Sequence, residues 1–441
     1  MIQTIKQALK TREVRRKLEL MILTVFLVRV CAMFPVPGVD ASVFKRWISS
    51  NANDALNLFS AFTGGSFENF SIFALGITPL ITAQIIVQLL GVVLPPINRL
   101  QKQGEHGQKV LKMVTKMAAL VLAFIQSLCM GIGFQKSGMI TGGVFGIAMV
   151  TIFMTAGTAV MIWLSTVLTD KAIGEGTSIL LMANIVSGFP KQFQSLIMNL
   201  TNGKELWVQA VSLVLAVSLI IAIMVIIIYM SEGYHPLQVQ YSQKMSQSGE
   251  DAQTGQIPVR VGIVSVMPII FASTLLSLPQ LLATIIGKGY GSGYSKIFLE
   301  MLSQKNWFDK EHPEYAFGML IYLGLIVFFA FFYLTITFNA AEISDNIRRA
   351  GGFVPGLHAG EETELYIQSI SRRLTSIGVV LLILVTMVPI IICGTLGINS
   401  SISGTSLIIV IGVATDLMQQ IKLEVAGRSY TGILCRKEGG K

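Results

Sequence analysis

Apolar runs of about twenty residues alternate along the chain with short polar stretches. Ten runs stand out, at about 18–35, 72–94, 113–134, 144–168, 177–198, 206–230, 261–286, 317–338, 375–395 and 404–421. A helix needs about 20 mostly apolar residues to cross a bilayer, so each run predicts a membrane-spanning helix. The first 17 residues are different: Ile2, Ile5 and Leu9 recur at helical spacing among charges, with no small-residue cleavage site. That pattern predicts an amphipathic surface helix rather than a signal peptide. The stretch 56–70 is apolar and aromatic, too short to span, and broken at Gly64-Gly65. Irregular backbone at membrane depth needs protein around it. The stretch is therefore either a re-entrant piece filling a cavity or an outer loop packed on the bundle.

Composition agrees with the pattern. Of 441 residues, 52% are hydrophobic and 13% charged, about half the charged share of a soluble domain. Mean hydropathy is +0.67. The four cysteines, Cys31, Cys129, Cys393 and Cys435, form no C-x-x-C pair, which argues against a metal site or a disulfide framework. If the N-terminus is cytoplasmic, the inner segments hold more than twice as many lysines and arginines as the outer ones. The bias predicts both ends inside and an even number of spans. The loop 287–316, with four lysines, votes the other way.

Candidate chemistry is sparse. Deep in the spans the charges are Arg29, Lys116 and Asp416, and the four histidines lie in loops or at their edges. Ion-coupled transporters keep several ionisable groups near the midplane. No H-E-x-x-H and no phosphate-binding G-x-x-x-x-G-K-[ST] occurs, so nothing points to catalysis, a metal or a cofactor. Pro79 and Pro268 each stand in the first half of the second run of a set of five. Paired interruptions of this kind hint at an internal repeat around a central pathway, although a single proline is also an ordinary kink in a membrane helix. Ile77 and Ile81, like Leu181 and Ile185, are four apart and share a helix face. Such side chains can ring a dry constriction, but aliphatic pairs at this spacing are common in any apolar helix.

The strings at these positions, in order, resemble the SecY family of bacterial protein-translocase channels. Arg29 followed by Pro35-Val36-Pro37-Gly38-Val39-Asp40 resembles its first span. SIFALGI-x-P at 71–79 and IIVQLL at 85–90 are specific to it. Further matches are Gly104-Glu105, Ile257-Pro258-Val259-Arg260, the segment opening at Pro268, Gly352-Phe353-Val354-Pro355-Gly356 and Gly404-Thr405-Ser406-Leu407. The resemblance implies an all-α polytopic membrane protein of ten transmembrane helices in two pseudo-symmetric inverted five-helix halves. The parts would be a cytoplasmic N-terminus 1–17, a first half 18–200, a second half 201–423 with cytoplasmic loops 231–260 and 339–374, and a tail 424–441.

It further implies a pore ring of Ile77, Ile81, Leu181, Ile185, Ile270 and Ile409. Residues 57–70 would be a plug, including Leu58, Phe59, Phe62, Thr63, Gly64 and Gly65. A lateral gate would run past Pro79, Gln84, Pro268, Ser273 and Thr274. A cytoplasmic partner-binding surface would use Arg260, Arg348, Arg349, Phe353, Pro355, Gly356 and His358. The implied activity is passive conduction of unfolded polypeptides, with release of signal sequences and other hydrophobic segments into the lipid bilayer. The implied partners are SecE-like and SecG-like small subunits and either the SecA ATPase or a ribosome, without nucleic-acid specificity. The implied place is the cytoplasmic membrane of a bacterium, and the protein would not be an enzyme. The alternatives are a secondary transporter with inverted repeats or a specialised accessory paralogue. Three departures stand out. His358 replaces the family's usual Arg, Gly174-Glu175-Gly176 replaces G-N-G, and 231–260 carries only Lys244 and Arg260 as firm cations.

Overall fold

The computed structural model describes residues 11–39, 43–44, 59–60, 62–136, 138–140, 143–201, 218, 221–229, 233–241, 254–260, 267–285, 294–303, 307, 313–358, 360–396 and 404–438. Helices dominate. In chain order they are α1 (Arg12–Cys31), α2 (Thr78–Val93), α3 (Pro95–Lys102), α4 (Gly104–Lys136), α5 (Gly143–Lys171), α6 (Gly176–Thr201), α7 (Met267–Ile285), α8 (Tyr294–Met301), α9 (Ala316–Thr337), α10 (Ala340–Arg349), α11 (Glu361–Leu396) and α12 (Gly404–Glu438). Among the described residues, five helices are long and apolar enough to cross a membrane, or six if the bent pair α2–α3 is one span. Two shorter apolar helices, Gly176–Pro190 and Met267–Gln280, accompany them. Of the run 206–230, only 218 and 221–229 are described, as helix.

The expected boundaries shift where local chemistry overrides hydropathy. Of the first 17 residues, 1–10, with Ile2, Ile5 and Leu9, lie outside the described residues, and 12–17 open α1. Val14 there is fully buried against Ile173 and Ile421, and Lys17 donates to Glu424 at 2.6 Å, tying α1 to α12. Pro79 does not interrupt the second span, because it stands in the first turn of α2. Proline is tolerated there since its missing N–H would have no helical partner. Residues 72–77 before it form consecutive turns, and Gly76 has φ +55°, a left-handed value that stops the helix extending backwards. Pro268 likewise lies in the first turn of α7, and the proline inside that helix is Pro279. At the other end of α2, Leu94 is extended (φ −97°, ψ 114°), as a residue preceding proline prefers. The chain then bends by 106° into α3.

The expectation of an all-α protein also needs correction. β1 (Tyr234–Tyr241) and β2 (Thr254–Arg260) pair antiparallel, and β1 also pairs with β3 (Gly352–Phe353), giving the order β2-β1-β3. The sheet stitches loop 231–260 to loop 339–374. Leu237 and Val239 alternate inward onto a small core with Ala340, Ile347, Val354 and Ile367, the period-two burial of a strand. This core is separate from the main one, which runs through α2, α6, α7, α9, α11 and α12.

Candidate functional site

The six candidate ring residues come from four helices. Ile77 caps the start of α2 and Ile81 follows in its first turn. Leu181 and Ile185 project from α6, Ile270 from α7 and Ile409 from α12. All six are at most 3% exposed and belong to one apolar cluster. α7 touches both α2 and α12, and α12 touches α6. No ring side chain can donate or accept a hydrogen bond.

The segment 59–70 is packed, not draped. Asn57, Leu58 and Ala61 lie outside the described residues. Phe62 joins the ring's cluster. Phe59, Phe67 and Phe70 join a second cluster with Phe44 and Phe134. Their rings meet edge to face at centroid separations of 4.7–5.5 Å, the geometry aromatic quadrupoles favour. Thr63 is 1% exposed, and its methyl lies where a Cβ on Gly76 would come within 3.2 Å. Ser71 bridges Pro35 and the Val36 N–H donates to the Phe70 carbonyl at 2.9 Å. The described part of the segment, 59–60 and 62–70, is thus largely buried against other parts of the protein.

Arg29 and Asn184 contact this segment as well, and Asn184 is a residue the sequence reading did not single out. Its one available signal is an amide lying between Leu181 and Ile185 in an apolar run. Arg29 Nη1 donates to the Gly64 carbonyl at 2.9 Å, and Nη2 donates to the Ala183 carbonyl and to Asn184 Oδ1.

α2 and α7 touch; Pro79 on α2 and Pro268, Ser273 and Thr274 on α7 are buried, and Gln84 on α2 is half-buried. Ser273 Oγ donates to the Ile269 carbonyl at 2.5 Å. Thr78 Oγ1 on α2, Gln126 Oε1 on α4 and Thr274 Oγ1 on α7 are buried without a hydrogen-bond partner among the described residues. These three helices touch one another. Unmade buried hydrogen bonds cost free energy, so this seam is weaker than its apolar area suggests.

The candidate partner surface is one exposed loop. Arg348, Arg349, Phe353, Pro355, Gly356 and His358 are all exposed. α10 below them is capped by Asn339, which accepts from the Glu342 N–H. Arg348 pairs with Asp345 at 3.0 Å. The His358 N–H donates to Glu362 Oε2 at 3.0 Å, which anchors its backbone and leaves the imidazole outward. Arg260 is placed only by its backbone, opposite Tyr234.

Glu175 immediately precedes α6 and accepts from Ser178 Oγ at 3.2 Å. Glu175 keeps solvent-exposed surface while the protein around it desolvates its carboxyl. Burial pushes its carboxyl above the ordinary range. The Ser178 hydroxyl and Lys112 oppose that shift, and Asp416 reinforces it. A carboxyl raised in the folded state favours folding at low pH. That contribution fades as pH rises past the unfolded value and through the folded one. Glu175→Gln should therefore leave the melting temperature unchanged near pH 4 and raise it slightly near pH 7.5. Thermal unfolding in detergent at both pH values checks this. A gain equal at both would show that ionisation of Glu175 is not the cause.

A bundle of helices long and apolar enough to cross a membrane, packed around one large apolar core, is the architecture of a helical membrane protein. Comparison with known proteins narrows the class. Residues 71–418 match the SecY family. The protein translocase subunit SecY of Bacillus licheniformis is 33% identical over 451 residues, covering 98% of this chain and all of the relative. That of Bacillus subtilis is 34% identical over 444 residues, with the same coverage. The chain therefore belongs to the SecY family. Two solved structures share the fold. One is a SecY protein described by a plug domain that stabilises its closed state, with a TM-score of 0.63, 17% identity and 92% of each chain covered. The other is the channel of the canine ribosome–channel complex from the endoplasmic reticulum, with a TM-score of 0.60, 16% identity and 92% of each chain covered.

Proposed function

We propose that this chain is the protein-conducting channel subunit of a bacterial translocase. It lies in the cytoplasmic membrane with ten spans in two inverted halves and both termini inside. Unfolded polypeptides pass through the ring of Ile77, Ile81, Leu181, Ile185, Ile270 and Ile409. Hydrophobic segments and signal sequences leave sideways between α2 and α7. The single observation that supports this reading is that these six aliphatic side chains, carried by four helices, are all buried in the same main apolar core as Phe62 of the plug. An aliphatic ring seals around a moving chain without hydrogen-bonding it, so it resists ions yet does not trap the substrate.

The motor and the small SecE-like and SecG-like subunits are supplied by partners. The exposed loop 353–358 offers a stiff turn flanked by Arg348 and Arg349, and the β1–β3 pairing couples it to loop 231–260, so a partner pushing on one loop moves both. His358 presents an imidazole where an Arg would present a permanent charge and a planar fork of donors. SecA or a ribosome would therefore meet a weaker cationic contact here than in typical relatives.

The test is reconstitution in proteoliposomes with a SecE-like subunit, SecA and an unfolded preprotein. A cysteine at Thr63, in a background lacking the four native cysteines, reports the plug. The preprotein should enter the vesicles, and Thr63→Cys should gain reactivity toward an impermeant thiol reagent while it does. Unchanged labelling during active import would remove the plug assignment. Solute uptake driven by sodium or protons, without import, would favour the transporter instead.

A further inference from the structure

We propose that Arg29 is a positioning residue that, with Asn184, clamps the plug in its seat; this rests on the reading of 57–70 as a plug. Arg29 lies in α1 and is half-buried. Its hydrogen bonds among the described residues go to three neutral oxygens on two segments. These are the Gly64 carbonyl of the plug, at 2.9 Å, and the Ala183 carbonyl and Asn184 Oδ1 of α6, at 3.1 and 2.7 Å. Asn184 completes the bridge. Its Nδ2 donates to the Phe62 carbonyl at 2.9 Å, and its own carbonyl accepts from Ser187 Oγ at 2.7 Å. One guanidinium and one amide thus pin the carbonyls on either side of Thr63 to the helix that carries Leu181 and Ile185. Clamp and ring share an element, so displacing ring residues on α6 strains the clamp.

The turn is built for this contact. Gly64 has φ +62°, and a Cβ there would fall on the Arg29 guanidinium and within 2.7 Å of the Asn184 carbonyl. Gly65, next in sequence with φ +80°, would put a Cβ into open space. Only the first glycine is demanded by the clamp; the second is demanded by its backbone angle alone. A charge held by carbonyls rather than by a carboxylate also suits a contact that must open. Water can replace neutral acceptors when the plug leaves, whereas separating an ion pair would strand two charges.

The experiment uses the reconstituted complex without substrate. It reads ion leak and the labelling rate of Thr63→Cys in the cysteine-free background. Arg29→Met keeps the length and removes the donors; Arg29→Lys keeps a charge with one reach. Gly64→Ala and Gly65→Asn test the turn, because Asn tolerates the left-handed region. Loss of a charge-assisted bond pair predicts at least about a tenfold rise in labelling and leak for Arg29→Met and Gly64→Ala. Arg29→Lys should recover part of the seal, and Gly65→Asn should stay near the native rate. Unchanged labelling and leak in Arg29→Met, with a native melting curve, would overturn the clamp. If Arg29→Met fails to assemble, Gly64→Ala against Gly65→Asn decides: equal rates in that pair also overturn it. Deletion of 59–69 separates the two levels of the argument. No leak after deletion would sink the plug reading itself, whereas a leaking deletion beside a tight Arg29→Met would sink only the clamp.

Discussion

Replacing Ile77, Ile185 and Ile409 together by serine should raise the resting ion conductance of reconstituted channels by roughly tenfold or more. The three come from α2, α6 and α12 and are at most 1% exposed. A narrow aliphatic constriction excludes ions because water inside it gives up hydrogen bonds that the wall cannot replace. Three hydroxyls give the water partners, and the shorter side chains widen the gap. The same triple change to valine keeps the wall dry and trims little volume, so it should leak far less than serine. Planar-bilayer conductance at rest and under voltage separates the two. Equal conductance for serine and native channels would mean that the barrier lies elsewhere. Equal leak for valine and serine would mean that width, not wetting, sets it.

Gly157→Val should cost about 2–3 kcal/mol of stability, as an overpacked core does, and should disturb the ring as well. Gly157 lies in α5 against the backbone of Ile72. A Cβ there would collide with the Ile72 carbonyl oxygen and come within 2.8 Å of its carbonyl carbon. The colliding atoms are backbone, which cannot rotate away. Ile72 sits in the run of turns that ends at Ile77, so pushing it displaces a ring residue and the start of α2. Gly324 in α9 is the control, since a Cβ there meets nothing within 4 Å. Gly324→Ala should be neutral or stabilising by up to about 1 kcal/mol, from helix propensity. Melting in detergent measures both. A Gly157→Val protein that melts like the native one would show that α5 and the 72–77 turns can separate freely.

Much of the molecule follows from local pattern. Length and hydropathy placed the helices at 143–171 and 316–337 within a few residues of the observed ends, because a long apolar stretch has one low-energy conformation in hydrocarbon. The order of short strings from Arg29 to Leu407 was enough to indicate the SecY family. Spacing alone put Ile77 with Ile81, and Leu181 with Ile185, on shared faces. It could not say whether those faces meet, since aliphatic pairs look alike wherever they point. Tertiary packing buries all four in one main apolar core that α2, α6, α7 and α12 share. It also decided three things that pattern obscured. The strands β1–β3 form because two distant loops share a small core, a contact with no signature in either loop alone. Pro79 starts a helix instead of bending one, because Gly76 adopts a left-handed angle and 71–77 is tied back to 34–36. The role of Arg29 is the clearest case. A lone charge in an apolar run says only that it needs partners, and those partners, the Gly64 carbonyl and Asn184, lie 35 and 155 residues away. Sequence determined which stretches must be buried; only the fold determined which carbonyls a buried charge could reach.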